Sequence, residues 1–260
     1  MQRPSWHNSQ FREQVGPLQA AGVATVAYDF LGCGSSAKPR DATAYAPGEL
    51  FADLEAVHDQ YCKEHQAVFL VAHSFGTCLA VRLAVQLGSA LTGLVLIGAF
   101  HPALGGGAMR GLFLLPETVL GWLQPLLTRQ FMGLAFHANS HRRRPELLAQ
   151  EARYSNANLP HMFRAFYRQV GEFFEPPESY DELLRAVAAP ALVISGNTDR
   201  LTPLDSMGAR VTGLLPRARL ISLAHAGHQV FQEEPEAFNA ALLNFMTSCL
   251  APCLDAREAA

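Results

Sequence analysis

The sequence predicts an α/β protein, with a mostly parallel sheet flanked by helices and interrupted by a helical insertion. Three observations predict it. Short apolar runs of strand length alternate with longer runs whose apolar residues recur every three or four positions. One serine, Ser74, stands between such a strand and such a helix, with the small residues Ala72 and Gly76 two places to either side. Between His101 and about Val187 the rhythm of strands stops, several short helical patterns take its place, and the strands then resume.

Taken in order, Ser5 to Ala21 reads as a helix, because Phe11, Val15, Leu18 and Ala21 share one face and Gly22 suits a left-handed cap. Val23 to Phe30 reads as an apolar strand. The loop from Asp29 to Ser36 is rich in glycine because the backbone must turn sharply there. It is no phosphate cradle, since its spacing departs from G-x-G-x-x-G and no helix opens directly after it. A helix over Pro47 to Glu64 leads into Ala67 to Ala72, an unbroken apolar run of the kind expected for a strand buried on both faces. After Ser74 come a helix (Cys78 to Leu87) and a second buried strand (Leu91 to Ala99). Beyond the insertion, Pro190 to Ser195 is a strand that ends at Gly196-Asn197-Thr198-Asp199. A helix (Pro203 to Leu214), a strand (Ala218 to Leu223), the loop Ala224 to His228 and a helix from Pro235 to about Phe245 complete the chain. The expected division is 1–100 for the first part of the core, 101–187 for a helical lid, and 188–260 for the rest of the core.

Composition narrows the function. A chain of 260 residues that is 49% hydrophobic and 17% charged suits one domain carrying an insertion. A net charge of -3 argues against nucleic acid as a partner. The basic run His141-Arg142-Arg143-Arg144 reads as a solvated helix start, with an anionic headgroup contact as the other reading. The five cysteines are odd in number and match no metal-binding spacing, so all are expected as free thiols in a cytoplasmic or organelle-interior compartment. Met1 to His7 lacks the apolar core of a signal peptide. Gly111 to Phe136 is the stretch nearest to a membrane span, but Pro116, Glu117, Pro125 and Arg129 interrupt it, so a pair of lid helices and no stable membrane insertion are expected.

The chemistry centres on Ser74. A strand-to-helix turn tight enough to need small flanks lifts the hydroxyl out of the sheet and aims the next N–H, that of Phe75, at the same space. A serine hydroxyl is a weak nucleophile until a neutral imidazole takes its proton and a carboxylate orients that imidazole. Downstream lie Asp199 and then His228, each on a loop after a strand.

Four segments in this order resemble the α/β-hydrolase family, in its esterase and epoxide-hydrolase-like group. They are Asp29-x-x-Gly32-x-Gly34-x-Ser36, Ala72-His73-Ser74-Phe75-Gly76, Gly196-Asn197-Thr198-Asp199 with Pro203, and Gly227-His228 followed by Glu234-Pro235-Glu236-x-Phe238. The stretch Tyr154 to Gly171 further resembles the α/β-hydrolase domain-containing protein 8 group. The resemblance implies Ser74 as nucleophile, Asp199 as acid, His228 as base and the Phe75 N–H as oxyanion donor. His225 is a rival to His228, which is favoured because it follows glycine. Serine at the elbow argues against epoxide and haloalkane hydrolysis. The implied reaction is hydrolysis of a small hydrophobic acyl or ester substrate through an acyl-enzyme, without cofactor or metal. Two alternatives stay open: a catalytically impaired relative acting as a binding module, and an acyltransferase or cofactor-free perhydrolase. Relatives carry a His-Gly loop that supplies the second oxyanion donor. No counterpart is found here, so the first strands of the fold are expected to be missing, and activity to be in doubt. Outside the triad, Asp29 is expected to anchor the glycine loop, His73 to pack or rim the pocket, and His101 to line the pocket or sit in solvent.

Overall fold

A computed structural model describes residues 8–104, 111–113, 115–169 and 178–258. Its centre is a four-stranded, all-parallel sheet: β1 (Phe69–His73), β2 (Gly93–Ile97), β3 (Ala191–Gly196) and β4 (Ala218–Leu223), in that spatial order. Leu94, Leu96, Ala191 and Val193 point to one face, while Val95, Ile97, Leu192 and Ile194 point to the other. Helices cover both faces, so β2 and β3 are buried at every position rather than at alternate ones.

One face is covered by α3 (Gly76–Leu87), α8 (Glu178–Ala186) and α9 (Ala209–Leu214) through Val81, Ala84, Leu184, Val211 and their neighbours. The other is covered by α1 (Arg12–Ala20), the short α10 (Val230–Glu233) and α11 (Pro235–Glu258) through Leu18, Phe231, Phe238 and Leu242. Helix α2 (Pro47–Tyr61) packs Leu50 and Phe51 on Leu79 and Leu83 of α3. Between β2 and β3 run α4 (Glu117–Ala135), α5 (Ser140–Arg143), α6 (Pro145–Asn156) and α7 (Pro160–Gln169), followed by α8.

The structure corrects the sequence reading in several places. Val23 to Phe30 is no strand: it carries no strand pairing, and Val26 is 49% exposed. Apolar composition favours burial, but a strand also needs a neighbour to complete its ladder. Among the described residues none flanks this segment. For the same reason β1 is an edge strand, half-buried along its whole length rather than buried on both faces. The expected first helix begins as a 3-10 turn at Asn8–Phe11, with Ser5 to His7 outside the described residues. The helix expected from Pro203 opens as a π-turn over Leu204–Gly208 before α9. The last helix runs on to Glu258, beyond the expected end near Phe245. Cys33, Cys62, Cys78 and Cys249 are free thiols, and Cys253 lies outside the described side chains. Among the described residues no helix is long and apolar enough to cross a membrane.

Candidate active site

The turn from β1 into α3 places Ser74. It is the one non-glycine residue with a positive φ, 55°, among the described residues. A left-handed backbone costs a serine on the order of 1–3 kcal/mol, so the fold must hold it there. The Ser74 N–H donates to Ile97 O at 2.9 Å, and its carbonyl accepts from Thr77 N at 3.0 Å and Thr77 Oγ1 at 2.6 Å. These bonds seat the turn on the end of β2 and on the first turn of α3, whose N-cap is Phe75.

Asp199 and His228 meet across the ends of β3 and β4. His228 Nδ1 lies 2.8 Å from Asp199 Oδ2, and both side chains are buried. The carboxylate is fully engaged: Oδ1 accepts from Leu201 N and Thr202 N at 2.9 Å each, and Oδ2 also accepts from Thr202 Oγ1 at 2.7 Å. Burial is the largest single influence on Asp199 and pushes its carboxyl up. The positive imidazole of His228 and the hydrogen bonds from His228 and Thr202 together outweigh it, holding the group below the usual carboxylate range. An ionised Asp199 fixes the proton of a neutral His228 on Nδ1 and leaves Nε2 as the basic nitrogen. Gly98, at φ 51°, makes room for this pair, because a Cβ there would come 3.0 Å from His228 Nδ1 and 3.2 Å from Thr202 Oγ1.

His73, the residue before Ser74, ties the two halves together. Its Nε2–H donates to the carbonyl of His228 at 3.0 Å, and the two rings lie 4.5 Å apart. Ser74 is therefore carried on the same strand end as the group that holds the His228 backbone. Among the described residues no hydrogen bond joins Ser74 Oγ to His228; such bonds commonly tighten only when substrate arrives. Above the elbow, Phe166 of α7 meets the Phe75 ring edge-on at 4.7 Å, and Tyr167 stacks on Phe113 at 4.1 Å.

The loop that bears His228 is held from the other side by the inserted helices. His228 N donates to Ala135 O at 2.7 Å, at the end of α4. The buried carboxyl of Glu233 accepts from Gly227 N at 2.7 Å, His137 N at 2.7 Å and Ser140 Oγ at 2.5 Å. Burial raises the Glu233 pKa, and those donors only partly oppose it.

The sequence-predicted residues thus fall into two groups. Ser74, Phe75, Asp199 and His228 are brought to one end of the sheet. His225 is not: it has no bond to Asp199, and its ring faces His137 at 6.2 Å. A cavity of about 260 Å³ lined by His225, Glu233, Arg143 and neighbouring residues takes in neither Ser74, Asp199 nor His228. Asp29 anchors the glycine loop as expected, accepting from Ser35 N at 2.8 Å and, through its carbonyl, from Ser36 Oγ at 2.6 Å. His101 is neither solvated nor at the site. It is wholly buried, with Nε2 2.8 Å from Asp181 Oδ1, and Arg210 completes the cluster on Asp181 Oδ2 at 2.8 Å. Sequence reasoning missed Thr202 and Glu233. An Asp-x-x-Thr turn is a local signal that could have found Thr202, because short polar side chains bond to nearby backbone in such turns. Glu233 stands five positions after His228, and its bond to Gly227 is local, but its bonds to His137 and Ser140 reach 96 and 93 residues back and no local signal shows them.

His73 carries a testable acid sensitivity. Burial, and next the charge of nearby His228, push its pKa down from 6.5 to about 3. The unfolded chain therefore binds a proton that the folded one refuses, so stability is full above pH 6.5 and declines as pH falls toward 3. His73→Gln keeps an N–H for the His228 carbonyl but cannot titrate. Between pH 6.5 and 4.5 its stability in denaturant should fall less than that of the parent, by on the order of 1–3 kcal/mol. Parallel curves for the two proteins would show that His73 is not the group responsible.

Comparison with known proteins agrees with this architecture. The model of the "Alpha/beta hydrolase family" matches residues 3–241, and the chain belongs to that family. Protein ABHD8 of Mus musculus is 27% identical over 237 residues, which is 91% of this chain and 52% of the relative. The chain thus spans about half the length of these curated relatives. The putative carbamate hydrolase RutD of Variovorax paradoxus is 28% identical over 251 residues, 93% of this chain and 88% of the relative. Among solved structures, a thermophilic esterase from Thermogutta terrifontis superposes with a TM-score of 0.78 at 17% identity, covering 94% of this chain and 86% of the other.

Proposed function

We propose that the chain is a serine hydrolase acting on a carboxylic ester or related acyl substrate. The observation that carries the reading is Ser74, held at φ 55° on a strand end whose preceding residue grips the loop of a buried His228–Asp199 pair. In this mechanism Ser74 Oγ attacks the carbonyl carbon while His228 Nε2 takes its proton. Asp199 orients the imidazole and stabilises it once charged. The Phe75 N–H, at the start of α3, donates to the developing oxyanion. Collapse of the tetrahedral intermediate breaks the bond to the alcohol, which leaves with the proton from His228. Water then repeats the sequence on the acyl-enzyme and frees the acid.

The inserted helices serve as a lid. Phe166, Tyr167 and Phe113 form an aromatic cluster next to Phe75, which suits a small hydrophobic acyl group. The names of the relatives point the same way: an esterase in Thermogutta terrifontis and a putative carbamate hydrolase in Variovorax paradoxus. No cofactor or metal is assigned a role. The bromoperoxidase of Bacillus anthracis, with a TM-score of 0.77 at 19% identity, covers 93% of this chain and 88% of its own. Its name keeps open a second reading, in which peroxide or an alcohol replaces water as acceptor.

The test is labelling by a fluorophosphonate together with turnover of short and medium p-nitrophenyl esters. The expected result is one adduct, mapped to Ser74, and turnover that Ser74→Ala abolishes. Folded protein that takes no label at Ser74 would overturn the reading and leave the chain as a binding module.

A further inference from the structure

Helix α4, the longest of the inserted helices, is apolar on both sides although only one side is packed. Leu120, Thr128, Met132 and Ala135 turn inward. On the outer side Trp122 is 83% exposed, Leu126 53%, Val119 38% and Leu134 37%. Val119, Trp122 and Leu126 follow at spacings of three and four, so they form one stripe. The turn between α6 and α7 widens it. Gln124 donates to Ser155 O and Asn158 O, a Cβ on Gly121 would lie 3.5 Å from Pro160, and the neighbouring Leu159 is 41% exposed. A helix that is apolar all round is normally covered all round.

Past its first turn, α4 carries one charged side chain, the cation Arg129. The sequence holds no carboxylate between Glu117 and Glu146, but it holds Arg129, Arg142, Arg143 and Arg144. Glu117 is met by Arg40 and Arg164. Arg129 lies on the outer side of α4 itself, and Arg142 and Arg143 are exposed just beyond its end. Arg143 approaches Glu234 at 3.6 Å, and Arg144 bonds to the carbonyl of Gln232.

We propose that the outer face of α4, with Arg129, is a docking surface for an anionic lipid bilayer. A largely exposed indole beside aliphatic side chains, with the exposed guanidinium of Arg129 on the same side of the helix, is the chemistry of the membrane interface: the ring enters the headgroup boundary and the cation meets a lipid phosphate. The helix lies on the surface rather than crossing it, since no described helix has the length and apolarity to span. A second copy of the chain is the poorer occupant. It would bring the exposed Arg129 of each copy toward one seam. Binding is read without turnover, so this assignment stands or falls separately from the hydrolase reading.

The test uses the full chain with Trp6→Phe, which leaves Trp122 as the single indole. It is sedimented with vesicles of phosphatidylcholine alone and of phosphatidylcholine with phosphatidylglycerol. The expected result is pelleting with the anionic vesicles, a shift of Trp122 emission to shorter wavelength, and suppression of both by salt. In the parent chain, Trp122→Ser with Leu126→Ser should weaken binding at least about tenfold, and Arg129→Gln about fivefold. Both apolar side chains are exposed, so an unchanged thermal melt shows that the double variant folds. Failure to pellet with anionic vesicles would overturn the proposal, as would equal binding by the double variant. Self-association that shifts Trp122 emission without any vesicle binding would assign the face to a second copy and overturn it too.

Discussion

Asp199→Asn is expected to lower kcat on a p-nitrophenyl ester about 10⁴-fold with little change in KM. The amide oxygen can keep the two N–H donors of Leu201 and Thr202 that Asp199 Oδ1 accepts now. The amide nitrogen then faces His228 Nδ1 and the Thr202 hydroxyl, where Oδ2 sits 2.8 Å and 2.7 Å from its partners. That nitrogen donates instead of accepting. It drives the imidazole into the tautomer with its proton on Nε2, and a protonated Nε2 cannot take the proton of Ser74. Backbone and packing are preserved, so the melting temperature should move by no more than a few degrees. Turnover within about tenfold of the parent would mean that Asp199 is a turn residue and that His228 is not the base.

Gly196→Ala tests the scaffold rather than the chemistry, and its expected effect is of similar weight. A Cβ on Gly196 would lie 2.2 Å from Gly227 O, 2.3 Å from Ala226 O and 2.5 Å from Ala226 C, all of them backbone atoms. No side chain can rotate away to relieve the clash. The His228 loop cannot retreat either, because a Cβ on Gly227 would already come 2.7 Å from Ala135 O. The end of β3 and the loop must then part, breaking bonds such as Thr198 N to Ala226 O at 3.2 Å and Asn197 N to Leu223 O at 3.1 Å. A loss of about 3 kcal/mol or more is expected, read in denaturant unfolding, with a fall in melting temperature of roughly 6–12 °C. An unchanged melt would show that this approach is looser than described.

Much of this was legible in the sequence, and the failures share a cause. Strands β2 and β3 announced themselves because faces covered on both sides favour unbroken apolar runs such as Leu94–Ile97 and Ala191–Ile194. Ser74, Asp199 and His228 were legible because each sits on a loop punctuated by small residues at fixed offsets. Val23 to Phe30 was misread because side-chain character reports burial, whereas strand formation depends on a neighbour that local sequence does not reveal. His101 was misread as a rim or solvent residue because its partner, Asp181, lies 80 positions away. Thr202 lies three residues from Asp199 and was within local reach, whereas the bonds of Glu233 to His137 and Ser140 exist only in the assembled fold.

The bond from His228 N to Ala135 O, with the three donors gathered by Glu233, has a mechanical consequence. The end of α4 and the turn after it are bolted to the loop that carries the imidazole. The inserted helices cannot swing out as one rigid flap without dragging that loop from Asp199. Any opening must pivot on the far side of Ala135, with the 135–140 stretch as its fixed fulcrum. Such a hinge would admit a ligand past Phe166 while the His228–Asp199 pair stayed in register.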